Sequence, residues 1–232
     1  MDLIEEFSLP SEGKIYKTEI KWENRIRAPR LCDKGIGDLS KKNKIQAGVL
    51  EKCILEPLGI NPYDLHSSDY TYLNLKQRMA AKGSKMMLDI RCQCGNHQEE
   101  EIDLNEVKIV KPKLPFDLNY TMATGEEIEL RYFTPRILDQ IKDNVSRFKE
   151  DYPDATQDVS LQETCRAIIV SVDGEKLPYS QMTNFLLNSY EVDLINMIDK
   201  VLSTNFGPVL IQKRRCSECK NLITFSISPD KG

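Results

Sequence analysis

Residues 85–104 read KMMLDIRCQCGNHQEEEIDL, and residues 209–227 read VLIQKRRCSECKNLITFSI. In the first stretch, Met86, Leu88 and Ile90 recur at every second position, which is the period of a β-strand. Each stretch places a pair of cysteines on a tight turn and continues into a return strand. The predicted return strands are residues 99–104 and 222–227. The chain therefore predicts two β-hairpins, each with two cysteines at its tip.

The cysteines at these tips have the spacing of a zinc site, and they are Cys92, Cys94, Cys216 and Cys219. Zinc takes four thiolates in a tetrahedron, and two cysteines separated by one or two residues on a turn supply half of that set. We expect the two hairpins to face each other and to hold one structural Zn²⁺, as in a zinc ribbon. Four protein thiolates leave no coordination position for a substrate, so the predicted role of the ion is structural.

Other interpretations of these cysteines remain open. They can be ordinary reduced thiols on loops, and His97 can replace one thiolate, although we expect it on the return strand in water. A redox pair at Cys216 and Cys219 requires a thioredoxin-like βαβ context, which the surrounding pattern lacks. The cysteines without a partner at ligand spacing are Cys32, Cys53 and Cys165.

The rest of the chain mixes helical and strand periods, which predicts an α+β fold with a helical section and small antiparallel hairpins. The predicted helices span 40–55, 68–81 with Gly83 as its stop, 179–187 and 191–204, with two more that begin at 134 and 160. Thr134 is the expected cap of the first of these two, and its predicted apolar stripe consists of Ile137, Leu138, Ile141, Val145 and Phe148. The predicted strands outside the cysteine hairpins span 16–22, 116–120 and 128–132. Ser160 and Glu163 indicate a capping box, so a helix is favoured there, and a strand at 168–172 is the alternative.

These elements divide the chain into four predicted segments. Residues 1–84 form an N-terminal arm with helices, and residues 85–133 form a β-region that carries the first cysteine turn. Residues 134–207 form the helical section, and residues 208–232 form the C-terminal hairpin with the second cysteine turn. We expect the last segment to form one compact unit with residues 85–133, because zinc joins them.

Composition excludes several classes of protein. The chain has 232 residues, of which 40% are hydrophobic and 29% charged, and these are globular values. The net charge of −4 gives no general attraction to nucleic acid or to anionic membranes. No run approaches the roughly 18 apolar residues of a membrane span, and the N-terminus lacks the pattern of a signal peptide, so we expect a protein that is cytosolic at synthesis. Seven cysteines, an odd number, do not fit a disulfide framework, which favours reduced thiols or a metal site.

The sequence shows no catalytic motif, so we expect no enzyme and no small-molecule substrate. Phosphate-binding glycine loops, nucleophile elbows and metal-hydrolase helices are absent, and the chain has only His66 and His97 as histidines. The acidic run 99–101 is expected to be a solvated strand edge. One basic run, 213–215, lies beside the second cysteine pair and supports an alternative function as a zinc-ribbon protein that binds nucleic acid or associates with transcription.

The order and spacing of these features resemble one known family. The features are the LPSEG opening at 9–13, LEKCI at 50–54, DIRCQCG at 89–95 followed by EIDL at 101–104, and the stretch from Gly207 to Cys219. In these respects the chain resembles the baseplate hub assembly proteins of T-even-like contractile-tailed bacteriophages. It departs from the family pattern by a C-x-C first turn instead of C-x2-C, which bears on the four-thiolate geometry. It also ends at 228–232 without an aromatic tail, so we expect a C-terminal contact of the relatives to be missing.

The resemblance implies a non-enzymatic protein that helps to build the hub of a phage tail baseplate, as a retained component or as a chaperone that leaves. It implies other hub proteins and the tape-measure protein as partners. It also implies a location in the host cytoplasm during assembly and in the tail baseplate of the virion. Neither a membrane nor nucleic acid is an expected partner in this interpretation.

Overall fold

Helices and short antiparallel strands alternate along the protein, whose computed structural model describes residues 4–33, 42–154 and 158–228. In these residues, the helices are α1 (Lys42–Cys53), α2 (Ser67–Lys82), α3 (Pro135–Asp151), α4 (Ser160–Ile168), α5 (Tyr179–Asn188) and α6 (Glu191–Leu202). The strands are β1 (Ile4–Ser8), β2 (Glu23–Arg27), β3 (Lys85–Arg91), β4 (His97–Asp103), β5 (Ile109–Val110), β6 (Asn119–Thr121), β7 (Glu127–Leu130), β8 (Ile169–Val172), β9 (Gly207–Pro208), β10 (Ile211–Arg215) and β11 (Leu222–Ser226). All named strands pair in antiparallel fashion, and the predicted α+β class is confirmed. No helix in the described part of the chain is long and apolar enough to cross a membrane.

The first hydrophobic core joins the hairpin β1–β2 to α1 and α2. Leu9, Ile26, Leu50 and Leu73 are fully buried in it, because the apolar faces of both helices close over the hairpin. The predicted helices at 40–55 and 68–81 correspond to α1 and α2, and Gly83 ends α2 with a positive φ of 83° as expected. Residue 40, the predicted start of α1, lies outside the described residues, as do residues 229–232 of the tail.

A buried carboxylate fastens the loop between β1 and β2 to this core. Asp69 on α2 accepts hydrogen bonds from Ser11 N (3.2 Å), Ser11 Oγ (2.5 Å) and Tyr16 Oη (2.7 Å). Burial raises the pKa of Asp69. The strand predicted at 16–22 is wrong: the segment is a loop, which Tyr16 joins to Asp69 at one end and Lys21 N joins to the carbonyl of Leu58 (2.8 Å) near the other. The paired strands lie on either side of it, at β1 and β2.

The second core packs helices α3 to α6 against a three-stranded sheet with the order β6-β7-β8. Ile128, Ile168, Leu186 and Met197 are fully buried there. Thr134 caps α3 as predicted, because its Oγ accepts a hydrogen bond from Ile137 N (3.2 Å). The predicted helices at 179–187 and 191–204 are confirmed as α5 and α6. The predicted hairpin at 116–132 exists, but it is shorter, as β6 and β7.

The start and end of α4 differ from the sequence prediction. Helix α4 begins at Ser160, but Val159 is its N-cap and no side chain caps it. Glu163 cannot complete a capping box, because its carboxylate accepts hydrogen bonds from Asn144 (2.8 Å) and Arg166 (3.1 Å). The helix ends at Ile168, and the strand that was the alternative follows it as β8, where it pairs with β7.

The two cysteine hairpins, β3–β4 and β10–β11, lie face to face beside α2. Their inward residues Met86, Ile102 and Ile227 pack with Leu75 and Met79 of α2. A short pairing of β5 with β9 brings the chain from the helical section back to the first hairpin. The tips of both hairpins therefore reach the same place although they are more than a hundred positions apart in sequence.

Candidate metal centre

The four predicted ligands come together at the tips of the two hairpins. Cys92 and Cys94 follow β3, and Cys216 and Cys219 follow β10. The Sγ atoms of Cys92 and Cys219 are 3.6 Å apart, and those of Cys94 and Cys216 are 3.7 Å apart. All four Sγ atoms lie within 4.8 Å of one another, and Cys92 and Cys216 are buried while the other two are exposed. The arrangement brings together the whole set that the sequence predicted.

Two of the sulfur separations match the edge of a tetrahedral zinc site, and the others are at most 4.8 Å. A regular tetrahedron with an edge of 3.7 Å has a distance of about 2.3 Å from centre to corner, which is the Zn–S bond length. A disulfide requires an S–S distance of about 2.05 Å, and all seven cysteines of the protein are free thiols. Four thiolate donors at such spacing suit zinc, as they also suit Cu(I) or an iron–sulfur cluster, so the residues present fit the ion that the sequence predicts.

Both cysteine turns have the same backbone design. Cys92 N donates to the carbonyl of Asn96 (2.9 Å), and Cys216 N donates to the carbonyl of Asn221 (2.8 Å). The residue after the second cysteine has a positive φ in each turn, 92° at Gly95 and 63° at Lys220. This conformation reverses the chain, so that both cysteines of a turn face the opposite hairpin.

The protonation of the sulfurs is uneven. Hydrogen bonds from backbone N–H groups, first that of Cys219, lower the pKa of Cys216 to about 6. At Cys94 the backbone N–H of Asn96 favours the thiolate, but the sulfurs of Cys92 and Cys219 raise the pKa to about 12. The pKa of Cys94 is thus raised and that of Cys216 lowered. A divalent cation that binds all four sulfurs must displace any thiol protons.

The other candidate ligands lie elsewhere. His97 contacts Asp89, with 3.3 Å between Nδ1 and Oδ2, and it is not part of the sulfur cluster. Cys53 is buried, and Cys165 is buried with its Sγ 3.4 Å from the carbonyl of Leu194. Burial raises the pKa of Cys165 to about 12, as expected for a cysteine that packs as a small hydrophobe. Cys32 is exposed.

The basic and acidic runs face each other across the hairpins. Arg214 lies inward with its Nε 3.5 Å from Oε2 of Glu100, whereas Lys213 and Arg215 are exposed on the outer face. The prediction that the whole run 99–101 is a solvated edge is wrong at Glu100, which is half-buried by this ion pair. Alternation along β4 and β10 explains the difference, because every second residue turns toward the facing hairpin.

Sequence reasoning missed two polar residues beside the cluster, Asn96 and Gln98. Their side chains cross from the first hairpin to residues 215–217 of the second. One signal was present in the sequence: an asparagine stands two positions after the second cysteine of both turns.

An apolar groove of about 530 Å³ lies between α3 and α6. Its apolar lining residues are Phe133, Leu138, Ile141, Val145, Ile198 and Leu202. The predicted apolar stripe of α3 is therefore covered only in part: Ile137 is buried, but Leu138 is 41% exposed, and Leu202 on α6 is 44% exposed.

The fold and the site together define an α+β protein with a four-cysteine candidate metal site between two hairpins. A family model described as T4 bacteriophage base plate protein matches residues 31–228, which include both cysteine pairs. The chain belongs to this family and is a phage base plate protein, which confirms the resemblance that the sequence indicated. No curated protein and no solved structure matches the chain.

Proposed function

We propose that the protein is a non-enzymatic component or assembly chaperone of the baseplate hub, and that a structural Zn²⁺ stabilises it. Its partners are other hub proteins and the tape-measure protein, which it meets in the host cytoplasm during assembly. The observation that carries the proposal is the convergence of four cysteine sulfurs within 4.8 Å of one another in a chain of the base plate family.

The residues of the cluster support a structural role for the ion. Cys92, Cys94, Cys216 and Cys219 supply a full tetrahedral set, so a bound Zn²⁺ joins two distant hairpins and has no open position for a substrate. The apolar groove between α3 and α6 supports a function through protein contacts, because contiguous exposed apolar surface is typical of interfaces.

Metal analysis tests the structural ion. Protein purified under reducing conditions should contain one zinc per chain, and the Cys216→Ser variant should lose it. Cys32→Ser is the matched control, because Cys32 is exposed and outside the cluster. Wild-type protein without stoichiometric metal would contradict the proposal.

Co-purification tests the hub function. The tagged chain, expressed together with the hub and tape-measure proteins of the same phage, should retain at least one of them. A head protein of that phage, expressed in the same way, is the negative control. If the tagged chain purifies alone although each candidate partner is soluble, the proposed hub function is wrong.

The exposed side chains of Lys213 and Arg215 favour a second candidate, a zinc-ribbon protein that binds nucleic acid. Against it, Arg214 of the same run is paired with Glu100 and the chain is acidic overall. Salt-sensitive retention of nucleic acid on filters, lost when Lys213, Arg214 and Arg215 are changed to Ala, would favour this second function.

A further inference from the structure

The side chain of Asn96 crosses from the first cysteine turn to the second. Its Nδ2 lies 3.5 Å from the Sγ of Cys216 and donates to Oγ of Ser217 (2.9 Å). Asn96 is therefore a residue of one hairpin that contacts a predicted ligand of the other. Its backbone meanwhile closes its own turn through the carbonyl that accepts from Cys92 N.

Gln98 makes a second crossing two residues further along β4. Its Oε1 accepts from Ser217 N (2.9 Å), and its Nε2 donates to the carbonyl of Arg215 (3.3 Å) and to Oε1 of Glu100 (2.9 Å). Gln98 thus holds the backbone on both sides of Cys216, but it contacts no sulfur. The two residues make different contacts with the same three-residue segment.

The sulfur of Cys216 receives a hydrogen-bond donor from the opposite hairpin, because Nδ2 of Asn96 lies 3.5 Å from it. Backbone N–H groups of its own turn, first that of Cys219, also lower its pKa. Four thiolates around a divalent cation carry a net charge of −2, and N–H donors to the sulfurs spread this charge. The donor from Asn96 is distinctive because it comes from the opposite hairpin.

We propose that Asn96 is a positioning residue of the metal centre: it orients the Cys216 thiolate and stabilises its charge from across the hairpin interface. Gln98 contributes by holding the backbone of the second turn in place through its hydrogen bonds to Ser217 N and to the carbonyl of Arg215. This inference rests on the proposed structural metal. It explains why a cluster built from distant segments has its sulfurs at ligand spacing, because side-chain contacts align the hairpins independently of the ion.

Cobalt titration tests the inference, because Co²⁺ replaces Zn²⁺ in thiolate sites and shows sulfur-to-metal charge-transfer bands. Asn96→Ala should weaken Co²⁺ and Zn²⁺ affinity by about 10–100-fold. It should also move the charge-transfer band to longer wavelength, because a thiolate that loses a hydrogen bond gives up an electron more easily. Asn96→Asp is nearly isosteric, but it lacks the N–H donor and places a negative charge beside the thiolate. It should therefore weaken binding more than Asn96→Ala does.

Two control variants separate positioning from stability. Asn221 occupies the equivalent position of the second turn, and its side chain makes no hydrogen bond in the described part of the protein. The Asn221→Ala variant keeps the backbone carbonyl that accepts from Cys216 N, so it should leave the metal affinity and the charge-transfer band unchanged. Gln98→Ala should weaken affinity without moving the band, because Gln98 touches backbone and not sulfur. Far-ultraviolet circular dichroism confirms that each variant folds.

The outcomes distinguish this inference from the proposed metal site itself. If wild-type protein binds neither Co²⁺ nor Zn²⁺, both ideas fail. If wild-type protein binds one ion per chain and folded Asn96→Ala matches it in affinity and spectrum, only the role of Asn96 is refuted. A band shift in Gln98→Ala equal to that in Asn96→Ala would also overturn it, because the effect would then arise from loosened docking.

Discussion

The metal–sulfur distance of the proposed zinc site is the quantity that the cluster geometry predicts most directly. The S–S separations of 3.6 and 3.7 Å correspond to metal–sulfur distances of about 2.2–2.3 Å in a regular tetrahedron. X-ray absorption at the zinc edge should therefore show four sulfur atoms at about 2.3 Å and no nitrogen or oxygen in the first shell. The remaining S–S separations, at most 4.8 Å, should contract as the ion binds.

Two variants make this measurement decisive. Cys94→Ser should convert the shell to three sulfurs, with a lighter atom at about 2.0–2.2 Å in the fourth position or with loss of the metal. His97→Ala should leave the spectrum unchanged, because His97 contacts Asp89 and lies outside the cluster. A shell of three sulfurs and one nitrogen in wild-type protein, with loss of the nitrogen in His97→Ala, would refute the four-thiolate arrangement. It would also show that the C-x-C turn recruits the histidine.

Three further predictions concern stability. Burial lowers the pKa of His66 to about 4 from 6.5, so its neutral form stabilises the fold above pH 6.5. As the pH falls from 6.5 to 4, the free energy of unfolding measured in urea should fall by about 3 kcal/mol through His66, and this loss should be absent in His66→Asn. An equal pH dependence in both proteins would contradict this. Asp69→Asn places a donor opposite the donors of Ser11 and Tyr16, so unfolding free energy should fall by about 1–3 kcal/mol, and a variant as stable as wild type would refute the argument. Gly95→Ala should lower stability by about 1 kcal/mol in thermal melts, because Gly95 has a positive φ. A Cβ at this position meets no atom within 4 Å, so the conformation is the sole source of the expected loss. An unchanged melting temperature would argue against the turn geometry.

Local pattern predicted most of the helices and the two cysteine hairpins. Alternation at 86–90 and the glycine after Cys94 are properties of the adjacent residues, so a strand and a turn follow from them. The same is true of Thr134, whose cap depends only on the backbone three residues later. The cysteine spacing indicated the site for the same reason, because each pair lies on its own turn.

Local pattern failed where a distant residue competed for the same groups. The segment 16–22 alternates like a strand, but it forms a loop in which Tyr16 donates to Asp69, about fifty positions away, and Lys21 N donates to the carbonyl of Leu58. At α4 the capping box is lost because Asn144 occupies the carboxylate of Glu163. In both cases a buried or half-buried hydrogen bond from another element outweighs a weak local preference.

The sequence by itself determined two cysteine turns, their flanking strands and the helices between them, because backbone conformation there depends on neighbouring residues. Only the tertiary structure decided that the tips meet with sulfurs 3.6 and 3.7 Å apart, and that Asn96 and Gln98 reach across to 215–217. Those contacts join segments about 120 positions apart. They exist because packing on α2 and the inward faces of both hairpins sets the register between them, which no local pattern encodes.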